Sequence, residues 1–508
     1  VLEAFAASPT IRLSADGAAR QLAALGYRDA SAARTAVAEL TTGLSRRSRL
    51  MRQTLPLMLD WISESPDPDL GLEQLRLLVA ATADHAQLVA TLRDTPIAAE
   101  RLCHILGSSR LLGKLLDRIP EMLPVLGDDQ ALAATVTRDM LVGRAVHAVS
   151  TRPNRARQLR ALRRFVQGRL VRTAVRDLLG LADMPTVGRE LADTADAAAQ
   201  AALTIATDHT RSDSRYRTLP EIPFSVIAMG KWGAQELNYA SDIDVLFVYD
   251  TPTGTDPDLT RSYANQIAAG FVAALADVTA DGIAYRVDTD LRPEGRNGPL
   301  ARSLDSYAAY YDRWAATWEY QSLIKARPAA GDPTLGAAFI TLITPHVYPE
   351  TLPPDTIRNI RTMKARIEHE RLPHDAAFHL KLGPGGLTDI EFFTQLLQLR
   401  HGGREPALRT EGTIPALKEL ARAGILTAEQ AYTMISAYRF CARVRNRLYL
   451  QLGKPADALP TDGVQGVRLG RSLGYEEAPR SALREEYRRL TRRARRLVET
   501  GFYHDSMR

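Results

Sequence analysis

Hydrophobic and polar positions change their pattern along the chain, and each change marks a different kind of structure. From residue 1 to about 125 the apolar residues recur at helical spacing, as around Leu57-Met58-Leu59, Leu75-Leu77-Leu78 and Leu102-Ile105-Leu106. Pro66, Pro68, Pro120 and Pro124 punctuate this stretch. A basic helix follows, in which Leu162, Phe165, Leu170, Val171, Val175 and Leu178 alternate with Arg163, Arg164, Arg169, Arg172 and Arg176. Residues 186–209 are Ala-rich and also read as helix. The helical pattern breaks at Leu219-Pro220-Glu221-Ile222-Pro223. Two short apolar runs then have strand length, Phe224 to Met229 and Val245 to Tyr249. Thr251 to Asp258 is a Gly/Pro/Asp loop, Leu259 to Val278 predicts an amphipathic helix, and Ile283 to Asp288 predicts a third strand. The turn Arg292-Pro293-Glu294-Gly295 comes next, and from about residue 340 helix returns to the end. No repeat period stands out. These elements predict an α+β chain, mostly helical, with a small mixed sheet. They divide it into an N-terminal helical domain (1–125), a sheet-bearing domain with its preceding helices (126–340) and a C-terminal helical bundle (341–508).

The length of 508 residues supports that division, because one hydrophobic core does not grow to this size. No apolar run reaches the roughly 18–20 residues of a membrane span, and no signal peptide opens the chain. Cys103 and Cys441 belong to no CxxC pair, so a reducing cytoplasm is the expected setting. The net charge of +6, from 65 bases and 59 acids, is modest for this length and argues weakly for nucleic acid. The chain starts at Val1 rather than Met, as expected for a piece of something longer.

Candidate chemistry sits between the first two strands. Gly230-Lys231-Trp232-Gly233 opens a turn, and Ser241-Asp242-Ile243-Asp244 leads into the second strand. Side chains alternate along a strand, so Asp242 and Asp244 share one face and Ile243 and Val245 take the other. A β-β-α-β order returns the third strand beside them, which brings Asp288 near the pair; Asp290 shares the face of Asp288 and is an alternative third ligand. Three carboxylates can hold two magnesium ions about 3.5–4 Å apart. A glycine turn lets backbone approach a phosphate, and a lysine there supplies a point charge. Magnesium-dependent in-line transfer at a nucleotide phosphate follows. The bland reading is a common Asp-x-Asp beside a tight turn.

The run Gly230 to Asp244, with Val287-Asp288 and Leu291-Arg292-Pro293, resembles the signature of bacterial glutamine synthetase adenylyltransferase, a polymerase-β-like nucleotidyltransferase family. The resemblance extends over nearly the whole chain, strongest at 224–330 and 360–403. It implies an enzyme that moves AMP from ATP to a tyrosine of glutamine synthetase, with Asp242, Asp244 and Asp288 as catalytic metal ligands. It places Gly230, Lys231, Gly233, Ser241, Arg292, Lys325 and Arg327 at the nucleotide. It implies glutamine synthetase as partner and a PII-type nitrogen-signalling protein as regulator, with neither nucleic acid nor membrane. The family is double-headed, and one half removes AMP by phosphorolysis. Thr317-Trp318-Glu319-Tyr320-Gln321, Lys325-Ala326-Arg327, Gly331-Asp332-Pro333 and Leu387-Thr388-Asp389-Ile390-Glu391-Phe392 are similar to the adding half. The removing half remains the nearest alternative, and a non-catalytic nucleotide- or regulator-binding module the next. Trp232, Ala228, Ala234 and Asp290 depart from the usual family residues.

Other signals read as structure. Thr388-Asp389-Ile390-Glu391 matches a helix capping box, which gives Glu391 a structural role, with direct participation in the site the alternative. Trp314 and Trp318, four apart, are expected in the core, with adenine stacking the alternative. His369, His374 and His379 recur every five residues, a spacing that fits neither a helix nor a strand face, so a metal cluster is not expected. The arginines at 488, 489, 492, 493, 495 and 496 are expected on a solvated helix face, with an anionic docking face the alternative. Neither a Gly-x-Ser-x-Gly elbow nor a Walker-type run occurs.

Overall fold

A computed structural model describes residues 15–44, 46–81, 86–371 and 378–503. Among these residues one sheet is present, with five strands: β1 (Phe224–Met229), β2 (Ile243–Tyr249), β3 (Val287–Asp288), β4 (Ala301–Ser303) and β5 (Arg327–Gly331). β1 runs antiparallel to both β2 and β5, and β3 and β4 run parallel to opposite ends of β2. The sheet is therefore mixed, as the pattern predicts, within a mostly helical chain.

β1 is buried along its whole length because both faces of the sheet are covered. Phe224, Val226 and Ala228, with Val245, Phe247 and Tyr249, join one core cluster. Ile227 and Met229, with Leu246 and Val248, join a second on the other face. Helices Met184–Arg211 and Pro257–Ala276 pack together on the first side. The first of these is Ala-rich where it is most buried, at Ala195, Ala197, Ala198, Ala199, Ala201 and Ala202, and small side chains allow close approach. Helices Leu304–Arg313 and Pro333–Val347 cover the second side.

The third strand is shorter than its sequence pattern suggests. Ala284 and Tyr285 turn their N–H groups back onto the Leu275 carbonyl at the end of the crossover helix, at 2.9 and 3.1 Å. Only Val287 and Asp288 remain to pair with β2. The same helix end is tied down by Arg163, which is fully buried and donates to the carbonyls of Ala274, Asp277 and Gly282. Carbonyls at a helix C-terminus lack intrahelical partners, so a cation there is well placed.

Two expectations fail for identifiable reasons. Trp314 and Trp318 are 76% and 40% exposed. A break at Ala316 separates helix Leu304–Arg313 from helix Thr317–Leu323, so a spacing of four no longer shares one face. Tyr307, Tyr311 and Leu323 take the core positions instead. The capping box at Thr388 does not form either. Gly386 is the N-cap of helix Leu387–His401, and Asp389 accepts the Gly385 N–H at 2.7 Å. The arginine face of helix Pro479–Val498 is solvated at 488, 489, 492, 493 and 496, while Arg495 turns inward to Asp389 at 2.9 Å. His374 lies outside the described residues.

Candidate active site

The β1–β2 hairpin delivers the turn and the carboxylates together. Met229 pairs with Asp244 across the hairpin, and Gly230 begins the short helix Gly230–Gly233 directly after β1. Gly230 has φ +55°, and a Cβ there would lie 2.1 Å from Asp244 Oδ2. A side chain at 230 would thus collide with the carboxylate as well as strain the backbone. Gly233 is required by contact alone: its Cβ would fall 1.8 Å from the Lys325 carbonyl and 2.6 Å from that of Ala228. Gly233→Ala should therefore push β5 from β1. The expected cost is about 1–3 kcal/mol, read from the denaturant midpoint.

Asp244 and Asp288 face each other in register across β2 and β3. Burial pushes the Asp244 carboxyl up to about 6, and the nearby charges of Asp288 and Asp242 add to the shift. Lys325 and Lys381 oppose it. Asp242 sits just before β2, half exposed, with Arg286 at 3.7 Å. Asp288 Oδ1 accepts the Asp290 N–H at 2.8 Å, while the Asp290 carboxylate turns to Arg296 at 2.8 Å. This assigns Asp288, not Asp290, to the Asp244 cluster.

A buried carboxylate whose proton affinity is raised by acids beside it belongs to the kind of donor set that a divalent cation relieves. In their present rotamers, among the described residues, no three such side chains converge tightly enough to enclose an ion. The fit is one of chemistry and strand placement. It also fixes a pH dependence. The folded state keeps a proton on Asp244 that the unfolded chain releases near pH 4. Stability of the metal-free protein is then fully present below that value and falls as the pH rises through about 6. Divalent-cation binding should strengthen over the same rise, because the proton must leave first. Thermal unfolding followed across this window should show the slope, and Asp244→Asn should flatten it.

Two lysines stand behind the turn. Lys231 and Lys325 share the carboxylate of Glu391, at 3.3 and 3.7 Å. Burial alone would raise the Glu391 pKa, but Lys325 and then Lys231 outweigh it and hold it at about 2. Burial lowers the Lys231 pKa, with Glu391 opposing. Tyr438 donates to Glu391 at 3.1 Å and lies 2.9 Å from a carboxylate oxygen of Glu236. Glu391 thus pairs with both lysines, in place of the capping role that its sequence context suggests first. Lys381, which faces Asp244 electrostatically, was not singled out by its residue pattern.

The remaining sequence candidates are dispersed. Ser241 Oγ donates to Asn238 Oδ1 at 3.0 Å and shapes the loop before Asp242. Arg292 is buried and donates to the carbonyls of Thr289 and Gly298, at 2.7 and 3.1 Å. Arg327 is engaged bidentately by Asp196, at 2.7 and 2.9 Å. Asp196 is itself buried and also receives Arg138 and the indole N–H of Trp232 at 2.8 Å. Arg327 and Trp232 therefore hold the turn against helix Met184–Arg211, and Arg292 organises its own loop.

Comparison with known proteins now carries weight, because the turn, the paired aspartates and the lysines are in place. Residues 99–341 match the family described as glutamate-ammonia ligase adenylyltransferase. That match covers just under half of the chain. Residues 361–502 match a second description, GlnD PII-uridylyltransferase. A protein named bifunctional glutamine synthetase adenylyltransferase/adenylyl-removing enzyme from Streptomyces avermitilis is 39% identical over 511 residues, covering 97% of this chain and 50% of the relative. Its namesake in Streptomyces coelicolor is 38% identical over 509 residues, with the same coverage. That of Mycobacterium tuberculosis strain H37Rv is 38% identical over 495 residues, covering 96% of this chain and 49% of the relative. The chain spans about half the length of these relatives. The family match spans β1 to β5, the turn and the three aspartates, while Glu391 and Tyr438 lie in the second matched region. Among the described residues, no helix is long and apolar enough to cross a membrane.

Proposed function

We propose that this chain is the C-terminal, adenylylating half of such an enzyme, with a polymerase-β-like core between two helical domains. It transfers AMP from ATP to a tyrosine of glutamine synthetase and releases pyrophosphate. The observation that carries the reading is the placement of Asp244 opposite Asp288, at the mouth of a glycine turn backed by Lys231 and Lys325. The names of the relatives supply the acceptor protein.

In this reading Gly230 lets the turn backbone approach the triphosphate, and Lys231 and Lys325 face its negative charge. Glu391 keeps the two ammonium groups apart and aimed before the nucleotide arrives, so little reorganisation is needed during reaction. The tyrosine hydroxyl attacks the α-phosphorus in line, its P–O bond forming as the bond to pyrophosphate breaks. Asp288 accepts the hydroxyl proton. Magnesium held by Asp242, Asp244 and Asp288 would neutralise charge on the triphosphate and on the leaving pyrophosphate. A PII-type protein is the regulator this reading expects, and the cytoplasm its setting.

The bifunctional names favour one second reading, phosphorolytic removal of AMP by the same site. Two incubations separate them. With ATP labelled in its α-phosphate and unmodified glutamine synthetase, label should enter the protein. With phosphate and adenylylated glutamine synthetase, ADP should not accumulate. Release of ADP without labelling would reverse the assignment, and binding of ATP with neither reaction would favour a non-catalytic module.

A further inference from the structure

A cavity of about 1100 Å³ lies beside helix Ala428–Leu452, bounded also by the 177–185 connection and helix Pro479–Val498. Its occupant is not the nucleotide site: none of Asp242, Asp244, Asp288, Lys231 or Lys325 lines it. Tyr438 reaches Glu391 from one face of the 428–452 helix. Arg439, Arg443 and Arg447 recur every four residues and line the cavity from the other face. Arg471, Arg489 and Arg493 complete its basic wall.

The charge of this wall is only partly matched. Four carboxylates line the same cavity. Asp183 takes Arg439 at 3.6 Å, Glu486 takes Arg489 at 2.6 Å, and Asp177 takes Arg447 at 3.0 Å. Glu429 is left for Arg443, Arg471 and Arg493. Arg447 forms the buried back of this wall. It is 4% exposed, and its Nη2 donates to the Asp177 carbonyl at 3.0 Å. Its Nε and Nη1 are buried with no hydrogen-bond partner. Asp177 cannot swing over to supply one, because its other carboxylate oxygen accepts from Tyr239 at 3.1 Å. Buried guanidinium donors are normally satisfied, and leaving them bare is costly. Arg443, one turn away, is also partly withdrawn from water, and burial lowers its proton affinity.

We propose that this cavity binds a small organic anion, whose carboxylate or phosphate oxygens pair with Arg443, Arg471 and Arg493, the wall arginines that Asp177, Asp183 and Glu486 leave unmatched. The volume exceeds what an inorganic oxyanion fills, and Phe440, Leu473 and Tyr475 offer an apolar wall for the rest of the ligand.

Calorimetric titration of the whole chain, without ATP or magnesium, tests this with two probes, malonate and inorganic phosphate. Saturable one-to-one binding of at least one probe is expected, and the stronger of the two identifies the headgroup. Arg443→Gln should weaken it by about tenfold or more, the loss of one charge-assisted hydrogen bond. Arg493→Gln, at an exposed position, should weaken it less and serves if Arg443→Gln fails to fold. Lys231→Gln should leave it unchanged. No saturation by either probe, or binding lost in Lys231→Gln and kept in the arginine variants, would overturn the proposal.

Discussion

Asp244→Asn should lower AMP transfer by about a thousandfold or more while the protein stays folded. Asparagine has almost the same shape but no charge to offer a cation or to balance one. Loss of a preorganised electrostatic partner at a reacting phosphate is worth about a hundred- to a thousandfold by itself, and misplacement of the triphosphate adds to it. Stability should move the other way. Burial, with the charges of Asp288 and Asp242 added, holds the Asp244 carboxyl near 6, so removing the charge relieves desolvation and repulsion at neutral pH. The expected pair of results is near-complete loss of labelled AMP on glutamine synthetase, with an unfolding midpoint unchanged or raised. Asp242→Asn should lose transfer as well, though Asp242 sits half exposed beside Arg286. Substantial transfer by Asp244→Asn would remove the cluster from the chemistry. Inactivity accompanied by unfolding would assign Asp244 to the scaffold.

The largest loss of stability is expected from Asp389→Ala. Lys364 is 1% exposed and pairs with both Asp389 and Glu368. Arg495 reaches the same two carboxylates, at 2.9 and 3.0 Å. Burial would raise the Asp389 pKa, but Lys364 and Arg495 hold it below the ordinary carboxylate range. Truncating Asp389 leaves a buried ammonium with a single acid and frees the Gly385 N–H. Breaking a buried pair in this way costs about 3–5 kcal/mol. The double variant Asp389→Leu with Lys364→Met should recover much of it, since an apolar pair of similar volume carries no desolvation penalty. Denaturant unfolding of the two variants separates an uncompensated charge from simple loss of packing. No recovery in the double variant would mean that the Gly385 contact, not the charge, matters. Because Asp389 fixes the start of the helix that carries Glu391, the single variant should also weaken transfer at temperatures where it remains folded.

The parts that local sequence could reveal are those governed by local physics. Phe224 to Met229 reads as a strand and is one, because a six-residue run interrupted only by Ser225 and flanked by Pro223 and Gly230 has few alternatives. The crossover helix is displaced by only two residues at either end, since Asp256 and Pro257 set its start. Gly230, Lys231, Asp242 and Asp244 lie on one hairpin, so their proximity follows from the turn between two paired strands. Where two elements compete for one segment, the pattern misleads. Ile283 to Arg286 has strand composition, yet the N–H groups of Ala284 and Tyr285 close the crossover helix. Trp314 and Trp318 share a face only if one helix continues through Ala316, and it does not.

By itself, then, the sequence determined the hairpin, the acid pair at its end and the mostly helical frame, because each depends on neighbours within a few residues. The tertiary structure decided which distant charges complete the site. Glu391 meets Lys231 and Lys325 across separations that no local period encodes, Asp196 binds Arg327 and Trp232 and so holds the turn, and Asp288 rather than Asp290 faces Asp244. A buried charge must find its counter-ion wherever the fold supplies one, and that choice is made only when the elements pack.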